Sequence, residues 1–167
     1  MNERGHTYLI ISRKPGLNRI TWEDVRTAPL PDVDAVINVA GEFFLNPFKW
    51  WNDELKLLVT SSRVDTTQAI STAIIKSKNP PKVFISVSGV NYYPQTSDAT
   101  IDTRYYNEDS KGGVGDFFAN LCTKWEKAAT IPTDVPVRVA HVRLGVILGK
   151  TGVICRTVPC QFYAHSY

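Results

Sequence analysis

Three places in this 167-residue chain combine residue types that could do chemistry, and each closes an apolar run. The first is Ser86-Val87-Ser88-Gly89, with Tyr92 and Tyr93 just beyond. A serine hydroxyl such as that of Ser88 can polarise a carbonyl, and a tyrosine can give it a proton. The second is Ser12-Arg13-Lys14. At a strand end an acid accepts from a ribose 2′-hydroxyl, whereas an arginine fits a 2′-phosphate, so Arg13 points to NADP over NAD. The third is Asn38-Val39-Ala40-Gly41, whose small residues let a backbone approach a ligand closely. Each place also has a purely structural reading. They are an ordinary Ser/Gly strand exit with packed tyrosines, a solvated basic turn, and a tightly packed turn.

The elements that must position these residues alternate in type. Thr7–Ser12 reads as a buried strand ended by the turn Arg13-Lys14-Pro15-Gly16, and Arg19–Trp22 as a second, very short strand. Ala35–Gly41 is a clearer strand, β-branched and closed by glycine. From Asn52 to Lys76 the residues Leu55, Leu58, Ser62, Thr66, Ala69, Ile70, Ala73 and Ile74 recur at three- and four-residue steps. That spacing makes a helix with one stripe for a sheet. Asn52 can cap it, and Asn79-Pro80-Pro81 ends it, since proline has no amide to donate. Lys82–Gly89 is the next strand, residues 94–115 a long polar loop, Asp116–Thr130 a second helix and Val137–Leu148 a final strand broken by Gly145. Near-continuous apolar strands separated by helices predict an α/β fold with a parallel, Rossmann-like sheet covered by helices on both faces.

Composition bounds the function. The chain is 43% hydrophobic and 11% aromatic, which excludes a disordered chain. A net charge of +3, without a basic stripe interleaved with aromatics, gives no footprint for nucleic acid or an anionic membrane. No apolar run approaches the roughly 20 residues that span a bilayer. Three cysteines are too few for a disulfide framework, so a reducing, intracellular and cytoplasmic setting is expected. Cys155, Cys160 and His165 match no structural zinc spacing and read as tail, with no metal expected. His141, inside an apolar strand, reads as a structural histidine.

Taken together and in order, these segments resemble the short-chain dehydrogenase/reductase superfamily, and more closely its atypical epimerase-like branch, SDR family 39. The resemblance rests on Ser12-Arg13-Lys14-Pro15-Gly16, Ile20-Thr21-Trp22 and Ile37-Asn38-Val39-Ala40-Gly41-Glu42. It continues through Trp50-Trp51-Asn52, Ser62-Arg63-Val64-Asp65-Thr66-Thr67, Gly112 to Glu126, and Val142-Arg143-Leu144-Gly145-Val146-Ile147-Leu148-Gly149. It spans about Gly5 to Gly149, which marks 1–149 as a partial NAD(P)-binding domain and 150–167 as a divergent tail.

The resemblance implies an NADP-dependent oxidoreductase acting on a small carbonyl or alcohol. It places Ser12, Arg13, Asn38, Ala40, Gly41, Glu42 and Lys124 at the cofactor, and Asn120 and Lys124 at the reacting group; at the strand exit, Tyr93 or its neighbour Tyr92 is expected to supply the proton, with Ser88 polarising the carbonyl. The superfamily pairs a tyrosine and a lysine as Tyr-x-x-x-Lys. Here Asn120-Leu121-Cys122-Thr123-Lys124 keeps the lysine and puts an amide where the tyrosine would stand. An amide does not titrate near neutral pH but can still hydrogen-bond a carbonyl. By itself, Lys124 reads as a surface lysine on an amphipathic helix.

Two departures qualify that expectation. The superfamily's first strand and glycine-rich phosphate loop have no counterpart before Gly5, and Gly112-Gly113-Val114-Gly115 follows no buried strand. The expected strand order is 3-2-1-4-5-6, so lacking strand 1, either strand 2 pairs with strand 4 or the first segment is loosely held. Unpaired buried backbone is costly, so a weakened fold and impaired activity are expected. The alternative is a non-catalytic Rossmann-like remnant that associates with a partner, such as another copy, through an exposed sheet edge.

Overall fold

The structure is a computed structural model and describes residues 5–43, 50–94 and 105–147. Cys155, Cys160 and His165, the 150–167 tail and Leu148 lie outside the described residues, and the expected last strand stops at Leu144, before Gly145.

Among the described residues, five strands and three α-helices follow one another: β1 (Ile10–Ser12), β2 (Arg19–Thr21), α1 (Trp22–Thr27), β3 (Ala35–Asn38), α2 (Asp53–Lys76), β4 (Val83–Gly89), α3 (Phe117–Ala128) and β5 (Arg138–Leu144). All paired strands are parallel. The Rossmann-like α/β class is therefore as expected, but the strands fall into two sheets, β1-β2 and β3-β4-β5. β1 does not pair with β3. Instead β1, β2 and α1 join the molecule through side chains. Ile11, Ile20 and Trp22 pack on a core made by Val25, Leu30, Val36, Ile70, Ala73, Ile74, Phe84 and Ala129.

α1 departs from the sequence reading, which ran a strand through Trp22. Thr21 and Asp24 form a capping box: Thr21 Oγ1 accepts from the Asp24 amide at 3.2 Å, and the Thr21 amide donates to Asp24 Oδ2 at 2.7 Å. These reciprocal bonds satisfy donors that a helix start leaves open, and they outweigh the β-propensity of Ile20-Thr21-Trp22.

α2 has the bounds its caps dictate. Asn52 Oδ1 accepts from the Leu55 amide at 2.9 Å, and Pro80 and Pro81 follow its end. Its buried stripe runs through Leu55, Val59, Thr67, Ile70, Ser71, Ala73 and Ile74. Val59 and Thr67 thus replace the expected Leu58 and Thr66. α3 begins at Asp116, whose carboxylate accepts from the Phe118 and Ala119 amides at 2.8 and 3.0 Å. Ser71 Oγ donates to the Ala128 carbonyl at 2.7 Å and ties α2 to the end of α3.

The register of the larger sheet explains which face the helices cover. Val36, Phe84 and Val139 lie in one row, and Asn38, Ser86 and His141 in the next. Phe84, Ser86 and Ser88 are buried, while the alternate residues Val83, Ile85 and Val87 are only half-buried. The second face departs from the expected two-sided cover and is open in the described residues: Ile37 is 52% exposed, and Val142 and Leu144 are each 38% exposed.

Candidate cofactor and catalytic site

Parallel strands place their carboxyl ends together, and ligands of such sheets bind beyond those ends. At the end of β3, Asn38 is buried and both ends of its side-chain amide are hydrogen-bonded. Its Nδ2 donates to Thr67 Oγ1 at 2.7 Å, and its Oδ1 accepts from the Ala40 amide at 3.1 Å. Trp125 Nε1 donates to the same Thr67 oxygen at 2.9 Å. Asn38 therefore shapes the strand exit from beneath.

The exit itself, Ala40 to Glu42, is held from above by α2. The Glu42 amide donates to Ser62 Oγ at 2.9 Å, and Arg63 Nη2 donates to the Glu42 carbonyl at 3.1 Å. A Cβ on Gly41 would sit 2.9 Å from Arg63 Cζ, so any larger residue there would displace the guanidinium from the Glu42 carbonyl. Arg63 also donates to the Val59 carbonyl and lies 5.4 Å from the Trp125 ring centroid. Burial pulls its pKa below the ordinary arginine value, opposed by the charges of Cys122 and Glu42. The sequence reading quoted Arg63 but gave it no role. Its partner carbonyl is 21 residues away, which no local pattern reveals.

At the end of β1, the Lys14 amide donates to Ser12 Oγ at 3.2 Å. The backbone then turns through Asn18, which adopts a left-handed φ of 53°, and the Ile10 amide donates to the Asn18 carbonyl at 2.9 Å. Arg13 and Lys14 are both exposed. They belong to the smaller sheet and not to the one that carries Asn38.

At the end of β4, Ser88 is buried and lies against the Cys122 thiol of α3. Gly89 is close enough that a Cβ there would stand 3.3 Å from Cys122 Sγ. Burial pushes the Cys122 thiol up, although the Gly89 backbone and Ser88 partly offset this. The Ser86 hydroxyl, one row deeper, has no hydrogen-bond partner among the described residues. Tyr93 stacks on Tyr106 with centroids 5.3 Å apart and meets Tyr92 edge-on at 5.7 Å.

Arg143, at the end of β5, gathers this corner. Its Nε and Nη2 donate to the two oxygens of Glu126 at 2.8 and 2.9 Å. Its Nη1 donates to Tyr93 Oη at 3.0 Å and to the Glu108 carbonyl at 3.3 Å. Its guanidinium carbon lies 3.6 Å from the Tyr92 ring centroid. Hydrogen bonding to Glu126 drives the pKa of Arg143 above even its ordinary value. Sequence reasoning gave Arg143 and Glu126 no part beyond the resemblance.

Asn120 and Lys124 lie one turn apart on α3, and both are exposed. The glycines before this helix serve packing. A Cβ on Gly112 would come 3.0 Å from Thr123 Oγ1 and 3.1 Å from the Tyr92 ring, and Gly113 lies equally close to Pro94. The structure thus brings Asn38, Ala40, Gly41 and Glu42 together under Arg63, and joins Tyr93 to Arg143. Ser88 sits beneath α3, and Asn120 and Lys124 share one outward strip.

No family model matches the chain. The human epimerase family protein SDR39U1 is 47% identical over 152 residues, which cover 91% of this chain and 50% of that protein. The chain belongs to this epimerase family of short-chain dehydrogenases/reductases. A Mycobacterium leprae epimerase family protein is 34% identical, covering 95% of this chain and 51% of its own length. A crystal structure of the human protein with NADPH superposes with a TM-score of 0.82, covering 90% of this chain and 49% of that one. A nucleoside-diphosphate sugar epimerase from Corynebacterium glutamicum gives 0.69 at 29% identity, covering 91% and 31%. The chain spans about half the length of the curated family members it matches. No helix among its described residues is long and apolar enough to cross a membrane.

Proposed function

We propose that this chain carries the NADP-facing part of an epimerase-like short-chain oxidoreductase whose substrate is a small carbonyl or alcohol. The observation that carries this reading is the pair of exposed cations, Arg13 and Lys14, directly after Ser12 at a strand end. Arginine takes a 2′-phosphate in bidentate fashion, and a dianion beside two cations gains more than a neutral ribose hydroxyl does. The NADPH bound by the 47%-identical human relative supports the same choice. The residues present fit the adenosine half of such a cofactor. Gly41 supplies a bare backbone at the exit of β3, where an added Cβ would strike Arg63. The described residues offer no glycine-rich turn between strand and helix for the pyrophosphate.

When bound, a reduced nicotinamide supplies a hydride to a carbonyl carbon. The chain's own residues bind and orient. Lys124 would meet the nicotinamide ribose, Asn120 would hydrogen-bond the carbonyl oxygen, and Tyr93 would be the source of its proton. Ser88 supports the exit from below. The test is nicotinamide fluorescence on binding, with NADPH and NADH compared in the wild type and in Arg13→Ala/Lys14→Ala. The reading expects NADPH to bind more tightly, and the double variant to abolish the difference. Equal binding of both nucleotides by the wild type overturns it.

A second reading has its own observation. Among the described residues β1 and β3 each pair with one strand only, so each carries an open edge there. Open edges template pairing with another chain. Self-association of two copies through the β3 edge follows, and sedimentation checks it: a monomer at every concentration contradicts this reading.

A further inference from the structure

Arg143 has the chemistry of an anion-binding residue, yet its bonding leaves it no capacity for a ligand. Both nitrogens of its fork face Glu126, and both carboxylate oxygens are taken. The two side chains are 15% and 9% exposed, so the pair is desolvated and its charge is neutralised internally. The remaining nitrogen serves Tyr93 Oη and the Glu108 carbonyl. One face of the guanidinium covers Tyr92. A bidentate pair fixes both the position and the rotation of a guanidinium. Nη1 therefore has one place to point, and it points at the Tyr93 hydroxyl.

We propose that Arg143 is a positioning residue that sets the Tyr93 hydroxyl and latches the 107–113 segment over the end of β4. The phenol oxygen accepts from a cation, so its own proton is directed away from Arg143. Hydrogen bonds in a chain polarise one another, and a phenol that accepts from a guanidinium becomes a better donor on its other side. The same nitrogen holds the Glu108 carbonyl, while the Gly113 amide donates to the Tyr92 carbonyl at 2.5 Å. The segment and the tyrosine are thus fixed by one group, and Glu126 on α3 fixes that group. The deduction that this directed proton serves a substrate carbonyl rests on the oxidoreductase reading above. The positioning itself does not.

The experiment uses the full 167-residue chain with 13Cζ-labelled tyrosine, and Tyr93→Phe assigns the Tyr93 resonance. In Arg143→Met the resonances of Tyr92 and Tyr93 are expected to move, and those of Tyr8 and Tyr105 to stay. Amide exchange across 107–113 is expected to rise about tenfold or more, with α2 unchanged, as for a local opening. Arg143→Lys keeps the charge without the fork and is expected to move the Tyr93 resonance as well. A Tyr93 resonance unmoved in Arg143→Met overturns the proposal. If Arg143→Met does not fold, Arg143→Lys decides alone: a moved resonance upholds the proposal and an unmoved one overturns it. The cofactor reading is measured separately through nucleotide binding, so either claim can fail without the other.

Discussion

The Asn38 side chain donates to Thr67 Oγ1 at 2.7 Å, joining the end of β3 to the middle of α2 with both residues closed to solvent. Trp125 Nε1 reaches the same oxygen from α3 at 2.9 Å. One hydroxyl thus satisfies two buried donors from two elements and sets the height of the strand exit. Thr67→Val keeps the shape and removes the acceptor. Each stranded donor costs about 1–3 kcal/mol. The expected outcome is a clear fall in the urea midpoint with little change in m-value, and Thr67→Ser recovers most of it. An unchanged midpoint in Thr67→Val contradicts this.

The two faces of the larger sheet should respond differently to truncation. Phe84 is fully buried on the helix side, and Phe→Ala at such a site costs about 3–5 kcal/mol. Val142→Ala, on the open face, should cost under about 1 kcal/mol, because a group already wet recovers little on burial. Equal losses in denaturant unfolding would show that the second face is covered.

Cys122 should be a poor nucleophile. Burial raises its pKa, so little thiolate exists near neutral pH. In a Cys155→Ser/Cys160→Ser background, a thiol reagent at pH 7 should modify native Cys122 far more slowly than the urea-unfolded chain. Matching rates contradict the burial.

The α1 cap predicts an acid response. Hydrogen bonds from the Thr21 side chain and backbone hold the Asp24 carboxyl below its ordinary range. The folded state therefore releases this proton more readily than the unfolded state. The stabilisation is complete above about pH 4 and fades as pH falls through the lower folded value. Asp24→Asn should melt lower at pH 7 and show a shallower decline of Tm between pH 5 and pH 2. A decline as steep as that of the wild type contradicts the assignment.

What the sequence disclosed was what neighbours in sequence decide. The ends of α2 and α3 were legible because Asn52 and Asp116 cap amides two or three residues on. β4 was legible as an apolar run closed by Gly89. α1 is hidden although Thr21 and Asp24 stand at capping-box spacing, because Ile20-Thr21-Trp22 has the composition of a strand. The stripe on α2 was shifted at Val59 and Thr67, since Thr67 is buried for its hydroxyl and not for its hydrophobicity. The sequence left two outcomes open for the first segment, pairing of β1 with β3 or separation from it, and β1 and β2 form a sheet of their own. Of the site, the strand exits were visible locally. Arg143 was not, because Glu126 is 17 residues away and Tyr93 is 50.

The most direct test of the account is a thermal melt of the chain alone, with excess NADPH, and with excess NADH. A ligand that binds only the folded state stabilises it, by about 2.7 kcal/mol at a hundred times its Kd. The account predicts one cooperative transition that NADPH raises, that NADH leaves where it is, and that NADPH no longer raises in Arg13→Ala/Lys14→Ala. A transition indifferent to both nucleotides, or raised equally by both, contradicts it.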